Sequence, residues 1–442
     1  MSDGRSPHRP RVLVVGTGFA GYHCLRMLER RLPRGQVEVV AVNPTDYMLY
    51  VPLLPEVAGG TLDPRRVAVA LRPRLPQTWL VLGHVVDLDV VGRRCTAVDV
   101  EGRCHGLDFD WLVVASGSVT RLLSIPGVGE HARGFKSVAE AVFLRDHVLR
   151  QLEFAELADD PHERAARVTF VVVGAGYTGT ELVAHASLLT RDAVRNRRQL
   201  SEHDIRWVLV DIAPRVLPGL DERLSEPTLR VLLARGIDVR LRSSVAEVTE
   251  QCVRLTDGAE IPTRTVVWCV GVRPDPLVQA LGLPTEQGRL IVDDYLRVPG
   301  SPHVYAAGDV AAVADRRHPG RLTPMTAQHA QRQGRTVAIN LAACLGHGRP
   351  RRYRHRDLGF VVDLGAGDAV ADPLHIPLEG CLATAVARGY HLLALPGNRL
   401  RVATDWLIDL VTDRQLVQFG MVPEQGIRLT ECDRLPAAGP VS

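Results

Sequence analysis

Two stretches carry glycine at a spacing suited to holding phosphate. One is Val12-Leu13-Val14-Val15-Gly16-Thr17-Gly18-Phe19-Ala20-Gly21. The other is Val171-Val172-Val173-Gly174-Ala175-Gly176-Tyr177-Thr178-Gly179-Thr180-Glu181. In each, an apolar run leads into Gly-x-Gly-x-x-Gly and then into a helix. The first glycine permits the tight turn, the second lets a pyrophosphate reach backbone N–H groups, and the third lets the helix pack on the sheet. The phosphates then lie at a helix N-terminus, where unpaired N–H groups and the dipole favour negative charge. A single turn of this kind also occurs with no nucleotide. Two in one chain, with matching context, argue for two dinucleotide sites.

Such a site wants an acidic residue at the end of the next strand, to hold a ribose. After the second turn, Trp207-Val208-Leu209-Val210 reads as that strand and Asp211 ends it. A carboxylate there accepts from a ribose 2′-OH and repels a 2′-phosphate, so the site reads as one for NAD(H). After the first turn, Val37 to Val42 is the strand and Asn43 stands at its end. Asn43 can hydrogen-bond a hydroxyl but is not the expected acid.

The elements that must position these residues follow from length and pattern. A chain of 442 residues suits two or three domains. It is 46% hydrophobic and 23% charged, with a net charge of +3. That balance is globular and gives no strong pull toward nucleic acid. Lys136 is the only lysine among 53 basic residues, as a GC-rich coding bias would leave it. The eight cysteines show neither zinc nor redox-dithiol spacing, and no metal site is expected. Cys24 and Cys269 lie in apolar runs and read as core. Met1 to Pro10 is polar and basic, not a secretory signal. No run approaches ~18 uncharged apolar residues, so no spanning helix is expected. A cytoplasmic chain with free thiols is the expectation.

Arg11–Val15 is the first strand and Ala20–Arg31 the helix behind it. Tyr47 to Pro55 reads as an apolar loop with two prolines that favour extended backbone. Trp111–Val114 is a strand running into Ala115-Ser116-Gly117-Ser118. Val138–Ala158 carries helical periodicity. Asp159–Arg167 is polar and reads as a linker. Thr265 to Pro274 reads as a strand ending in a Gly/Pro turn, and His303 to Ala307 as a strand stopping at Gly308-Asp309. Thr323 onward opens a long helix to about Leu345. Arg349–Arg356 is arginine-rich, Leu358–Ala371 is strand-like, and 382–411 holds two amphipathic helical segments broken at Pro396-Gly397. Residues 436–442 read as a frayed end.

Together these residues resemble the two-dinucleotide flavoproteins and, within them, the type II NADH dehydrogenases (NADH:quinone oxidoreductases). The resemblance runs from Arg11 to about Val422. It rests on the two glycine turns, Ala115-Ser116-Gly117, Trp268-Cys269-Val270-Gly271-Val272-Arg273-Pro274, Tyr305-Ala306-Ala307-Gly308-Asp309 and Thr326-Ala327-Gln328. It implies an α/β fold of two Rossmann-like domains, the FAD domain interrupted by the NAD domain, with a C-terminal α+β region. The divisions are 1–165 and 291–345 for FAD, 166–290 for NADH, and 346–442 for membrane association or dimerisation.

The resemblance implies FAD at Gly16, Gly18, Phe19, Ala20, Gly21, Asn43, Ala115, Gly117, Asp309 and Ala327. It implies NADH at Gly174, Gly176, Tyr177, Thr178, Gly179, Asp211 and Gly271. Glu181 and Gln328 take the catalytic positions. Glu181 also reads as a first-turn carboxylate serving its own helix, and Asp309 as a turn aspartate. The implied reaction is hydride transfer from NADH to FAD, then two electrons to a quinone of menaquinone type, without proton pumping. A possible homodimer and attachment to the inner face of the cell membrane belong to the same implication. No C-x-x-x-x-C is present, so electrons leave from the flavin directly.

Two departures stand out. The family's quinone motif reads Ala-Gln-x-x-x-Gln, but Arg332 holds the last position, between Gln331 and Gln333. A guanidinium donates but cannot accept. The C-terminal region is poor in aromatics, and Asp405 and Asp409 would be repelled by anionic lipid. The Leu400–Val411 segment therefore reads as a membrane helix, a dimer contact or a helix packed on the domain. The 349–356 stretch reads as a solvated charged face before a lipid contact. Three rivals follow: a soluble NADH-dependent reductase with a non-quinone acceptor, a sulfide:quinone oxidoreductase, and a non-catalytic NADH-responsive sensor. The intact second turn argues against the sulfide enzyme, whose NAD site is degraded.

Overall fold

The computed structural model describes residues 9–429. The readings for residues 1–8, Cys432 and 436–442 lie outside them. Valine-rich runs buried on both faces build two parallel sheets, as such runs must. The first sheet has the order Val304–Ala306, Trp111–Val114, Arg11–Val15, Glu38–Asn43, Thr78–Asp89, Arg94–Asp99, Cys104–Asp108. Its first five strands are parallel, with Leu13 between Val40 and Leu112, and the last two turn back antiparallel. The second sheet runs Arg133–Gly134, Thr265–Trp268, Thr169–Val173, Arg206–Val210, Asp238–Arg240, all parallel. Strand Val272–Pro274 pairs antiparallel with Ser118–Thr120 and ties the two units together.

The helices follow their end signals. Val138–Leu157 opens on a capping box, Ser137 with Glu140. Ala327–Cys344 opens on Thr326, whose side chain accepts from His329 N. This helix lies against Phe19–Arg31 with no room between backbones: a Cβ on Gly334 would stand 2.0 Å from Ala20 O. The C-terminal region is a three-stranded antiparallel sheet, Val361–Gly365, Asp368–Ala371 and Leu378–Glu379, followed by helices Gly380–Ala394 and Arg399–Val411.

Three expectations change. Asp159–Arg167 is not a linker: Pro161–Arg167 is helical, because Asp160 caps it and Pro161 suits the first turn. Tyr47–Pro55 is not one extended loop. It forms strand Tyr47–Leu49, a 3₁₀ turn Val51–Leu53 and the start of helix Leu54–Ala58, with each proline tolerated in a first turn. Thr265–Pro274 is two strands, since Gly271 at φ +91° redirects the chain. Cys24 is buried as expected, while Cys269 is only partly so.

Candidate active site

At the first turn, strand Arg11–Val15 runs into Gly16 at φ +89°, where a Cβ would lie 2.4 Å from Ala115 O. A Cβ on Gly21 would fall 1.8 Å from Gly16 O. Neither position can carry a side chain. Gly18 and Gly117 differ: a Cβ on either would meet nothing within 4 Å. The open side of Gly18 faces the N-terminus of helix Phe19–Arg31, which has no side-chain cap. Thr17 Oγ1 and Ser116 Oγ are buried there without partners. Open space, free helix N–H groups and orphaned hydroxyls are what a pyrophosphate cradle requires. Asn43 spends its groups on the turn: Oδ1 accepts from Thr17 N at 2.9 Å and Nδ2 donates to Thr45 O at 2.8 Å.

The second turn repeats the design. Gly174, at φ +109°, would clash with Cys269 O at 2.4 Å, and Gly179 with Gly174 O at 1.9 Å. Gly176 and Gly271 face open space, and Gly176 leaves helix Tyr177–Val194 without a side-chain cap. Asp211 holds this turn as Asn43 holds the first. Its Oδ2 accepts from Ala175 N and its Oδ1 from Ala213 N at 2.7 Å. A carboxylate retains lone pairs for a ribose hydroxyl beyond these two bonds.

Asp309 lies beside the first turn on a Gly308–Val310 turn. Gly308 N donates to buried Gln333 Oε1 at 2.7 Å, so helix Ala327–Cys344 fixes the aspartate's backbone. The Asp309 carboxylate accepts from Ser118 Oγ at 2.5 Å, and Ser118 Oγ accepts from Lys136 Nζ at 2.5 Å. Neither Ser118 nor Lys136 stood out as a site residue. The available signal was a single lysine in a chain that otherwise uses arginine. Composition alone could not show that it reaches Asp309.

Glu181, on the helix after strand Thr169–Val173, and Gln328, on helix Ala327–Cys344, meet one segment. Gln328 Nε2 donates to Gly359 O at 2.8 Å, and Glu181 Oε1 accepts from Asp363 N at 3.1 Å. Between them, Phe360 packs on Tyr177 at 5.7 Å between ring centroids. Arg332 Nη1 donates to both oxygens of Gln328, at 3.0 and 3.1 Å. Desolvation raises the Glu181 pKa well above the carboxylate range, and the charges of Asp363 and Glu56 add to it. Burial likewise lifts Glu56 to about 8, with Asp363 adding repulsion. Glu56 accepts from Trp406 Nε1. His185, buried against Asp363 at 3.6 Å, is pushed down to about 4 by desolvation. The arrangement favours the neutral form of Glu181, which burial and the neighbouring carboxylates both stabilise. Sequence reasoning had not found Glu56 or Asp363, because only the tertiary fold brings residues 56, 181 and 363 together.

Among the described residues no group of His, Cys, Asp and Glu could hold a metal ion. The seven described cysteines are free. No described helix is long and apolar enough to cross a membrane.

The profile of the pyridine nucleotide-disulphide oxidoreductases matches residues 10–334. The type II NADH:quinone oxidoreductase Ndh of Mycobacterium tuberculosis is 28% identical, covering 97% of this chain and 94% of its own. An internal alternative NAD(P)H-ubiquinone oxidoreductase of Arabidopsis thaliana is 30% identical over 94% of this chain and 87% of its own. The fold matches NDH2 of Plasmodium falciparum, solved with NADH, at a TM-score of 0.85 and 18% identity, covering 93% of this chain and 100% of that one. The chain belongs to the pyridine nucleotide-disulphide oxidoreductase family, on its branch of type II NADH:quinone oxidoreductases.

Proposed function

We propose that the protein oxidises NADH and reduces a membrane quinone, with FAD as its resident carrier and without pumping protons. Bound FAD supplies a two-electron carrier between nicotinamide and quinone. The first turn, with Gly18, Gly117, Asp309 and the helix behind Gly18, is suited to hold it. The second turn, with Gly176, Gly271 and Asp211, is suited to hold NADH. The opening turns of the Thr326-capped helix pack by Ala330 near Gly308 and Ala20, and helix N-terminal N–H groups there favour negative charge. Glu181 Oε1 accepts from Asp363 N, which leaves Oε2 as the oxygen able to carry or pass a proton. Arg332, with one nitrogen on Gln328, keeps further N–H groups to donate to a quinone carbonyl.

The observation that carries this reading is the 359–363 segment, which joins Gln328 of one domain to Glu181 of the other. A non-catalytic sensor has no need of a buried acid at that seam. We extend the reading to attachment at the inner membrane face through helix Arg399–Val411, and to domain divisions at 165, 290 and 345. Leu400, Leu407, Leu410 and Val411 stand exposed on that helix. The acids that argued against lipid turn inward instead. Asp405 pairs with Arg66 at 2.8 Å and Asp409 with Arg414 at 3.2 Å.

The test is anaerobic stopped flow on the purified protein. NADH should bleach the flavin absorbance and a menaquinone analogue should restore it. Bleaching without restoration by quinone would reassign the acceptor, and no bleaching of bound flavin would remove the enzyme reading.

A further inference from the structure

On the side of helix Phe19–Arg31 away from the sheet lies a cavity of about 740 Å³. It opens between that helix, helix Ala327–Cys344 and the turn at Pro396-Gly397. Six guanidinium groups line it: Arg26, Arg30, Arg74, Arg335, Arg399 and Arg401. None forms an ion pair among the described residues. Arg26 donates to Arg74 O, and Arg399 to Leu393 O and Leu395 O, so these bonds position cations without neutralising them. Glu29, on the same helix, is taken by Gln77 N at 3.0 Å and Thr78 Oγ1 at 2.8 Å. The crowding is felt inside the groove: desolvation and then the charges of Arg332 and Arg30 lower the Arg335 pKa.

His23 senses the same charges. It lines the cavity and is only 9% exposed. Burial and then three arginines push its pKa down to about 3, so the ring is neutral. Its Nδ1 accepts from Arg335 Nη2 at 3.4 Å. The proton therefore sits on Nε2, which is buried and has no partner. That donor is closed off from the open space, so the unpaired guanidinium groups are what suit the cavity to an anion.

The cavity's mouth says which anion. Met27, Leu393 and Leu400 line its apolar part. Leu393 and Leu400 are 77% and 85% exposed and continue into the apolar row Leu407, Leu410 and Val411. The space exceeds what a free phosphate fills, and its edge is built for hydrocarbon. We propose that this cavity binds the phosphodiester headgroup of an anionic phospholipid whose acyl chains lie along that row. The site goes beyond electron transfer and rests on the membrane reading given above. It makes that reading lipid-selective.

The test uses the full chain, sedimented at low salt with vesicles of phosphatidylcholine, or of equal parts phosphatidylcholine and phosphatidylglycerol. The wild type should favour the anionic vesicles by roughly tenfold or more, given the pull of several arginines near a charged surface. Arg30→Gln with Arg401→Gln should remove most of this preference. Arg354→Gln with Arg356→Gln, an equal charge loss in the exposed arginine stretch, should leave most of it. An equal drop in both pairs, or no preference in the wild type, overturns the headgroup site. Saturable binding of soluble glycerol phosphate, lost in the first pair while vesicle binding is unchanged, would assign a soluble ligand and overturn it too. Turnover with a water-soluble quinone should be unchanged in the first pair. A fall there would make the groove a quinone channel instead. Leu407→Asp reads the membrane contact separately, as weaker binding to neutral vesicles. If that variant binds them as the wild type does, the membrane reading fails, whatever the arginine pairs show.

Discussion

Asp211 serves two ends, and a substitution there reports on both. Its oxygens fix Ala175 N and Ala213 N, next to the open space at Gly176, and the carboxylate keeps lone pairs for a ribose hydroxyl. Asp211→Arg should therefore do more than repel less phosphate. We expect kcat/KM for NADH to fall by roughly tenfold to a hundredfold, the scale of one or two lost charge-assisted bonds. The NADPH to NADH ratio should rise. Steady-state kinetics with both nucleotides check it, and unchanged selectivity would place the ribose elsewhere. Glu56 bears on stability. Folding lifts its pKa from the ordinary 4.5 to about 8, so the native state keeps a proton that the unfolded chain gives up. This contribution is full below the ordinary carboxyl range and fades as pH rises through about 8. Glu56→Gln keeps an acceptor for Trp406 Nε1 and removes the titration. Its melting temperature at pH 9 should exceed that of the wild type by about 3 °C or more, with little difference at pH 5. A parallel offset at both pH values would show that Glu56 acts by packing alone.

On helix Ala327–Cys344, Gln328 reaches Gly359, Gln333 holds Gly308, and Arg332 bonds back onto Gln328. The position of the helix depends on Gly334, which touches the backbone of Ala20. Gly334→Ala should push the two helices apart, lower the melting temperature and speed flavin loss. Overpacking of this kind costs about 1–3 kcal/mol. Flavin fluorescence during a melt reads both effects, and a variant that keeps its flavin as firmly would show the contact to be slack. Arg332→Gln should leave the NADH half-reaction alone and slow reoxidation by quinone roughly fivefold, the worth of about one hydrogen bond. Faster reoxidation would instead mark Arg332 as an obstacle to simple quinones. Helix Arg399–Val411 is no detachable anchor. Val402 and Trp406 are buried, and Trp406 is the partner of Glu56. Point changes on its outer row, rather than truncation, test what it touches.

Across the whole molecule, the parts that sequence made legible are those with local rules. The glycine turns, the strands before them, Asp211 at a strand end and the long helix opening after Thr323 follow from short-range sterics and hydrogen bonding. Their positions in the fold agree with the spacing. The Asp160-Pro161 start was equally local, yet its polar surroundings disguised a helix as a linker. The rest needed long-range closure. Nothing in the spacing of Glu56, Glu181 and Asp363 says that they share one desolvated volume. Asp405 and Asp409 looked like a polar face until Arg66 and Arg414 met them. The six arginines of the groove come from four separate stretches, around residues 26–30, 74, 335 and 399–401, and only tertiary packing gathers them.

The Lys136–Ser118–Asp309 chain has a practical consequence. Since Lys136 is the only lysine, a lysine-specific protease has one bond to cut in all 442 residues. Lys136 is half-buried, and its ammonium is engaged on Ser118. Cleavage there needs local opening of the wall that Lys136, Ser118 and Asp309 form together. The chain thus carries a built-in single-site reporter. The rate at which it becomes two fragments measures how often that wall opens, and any ligand that grips Asp309 should slow the clock.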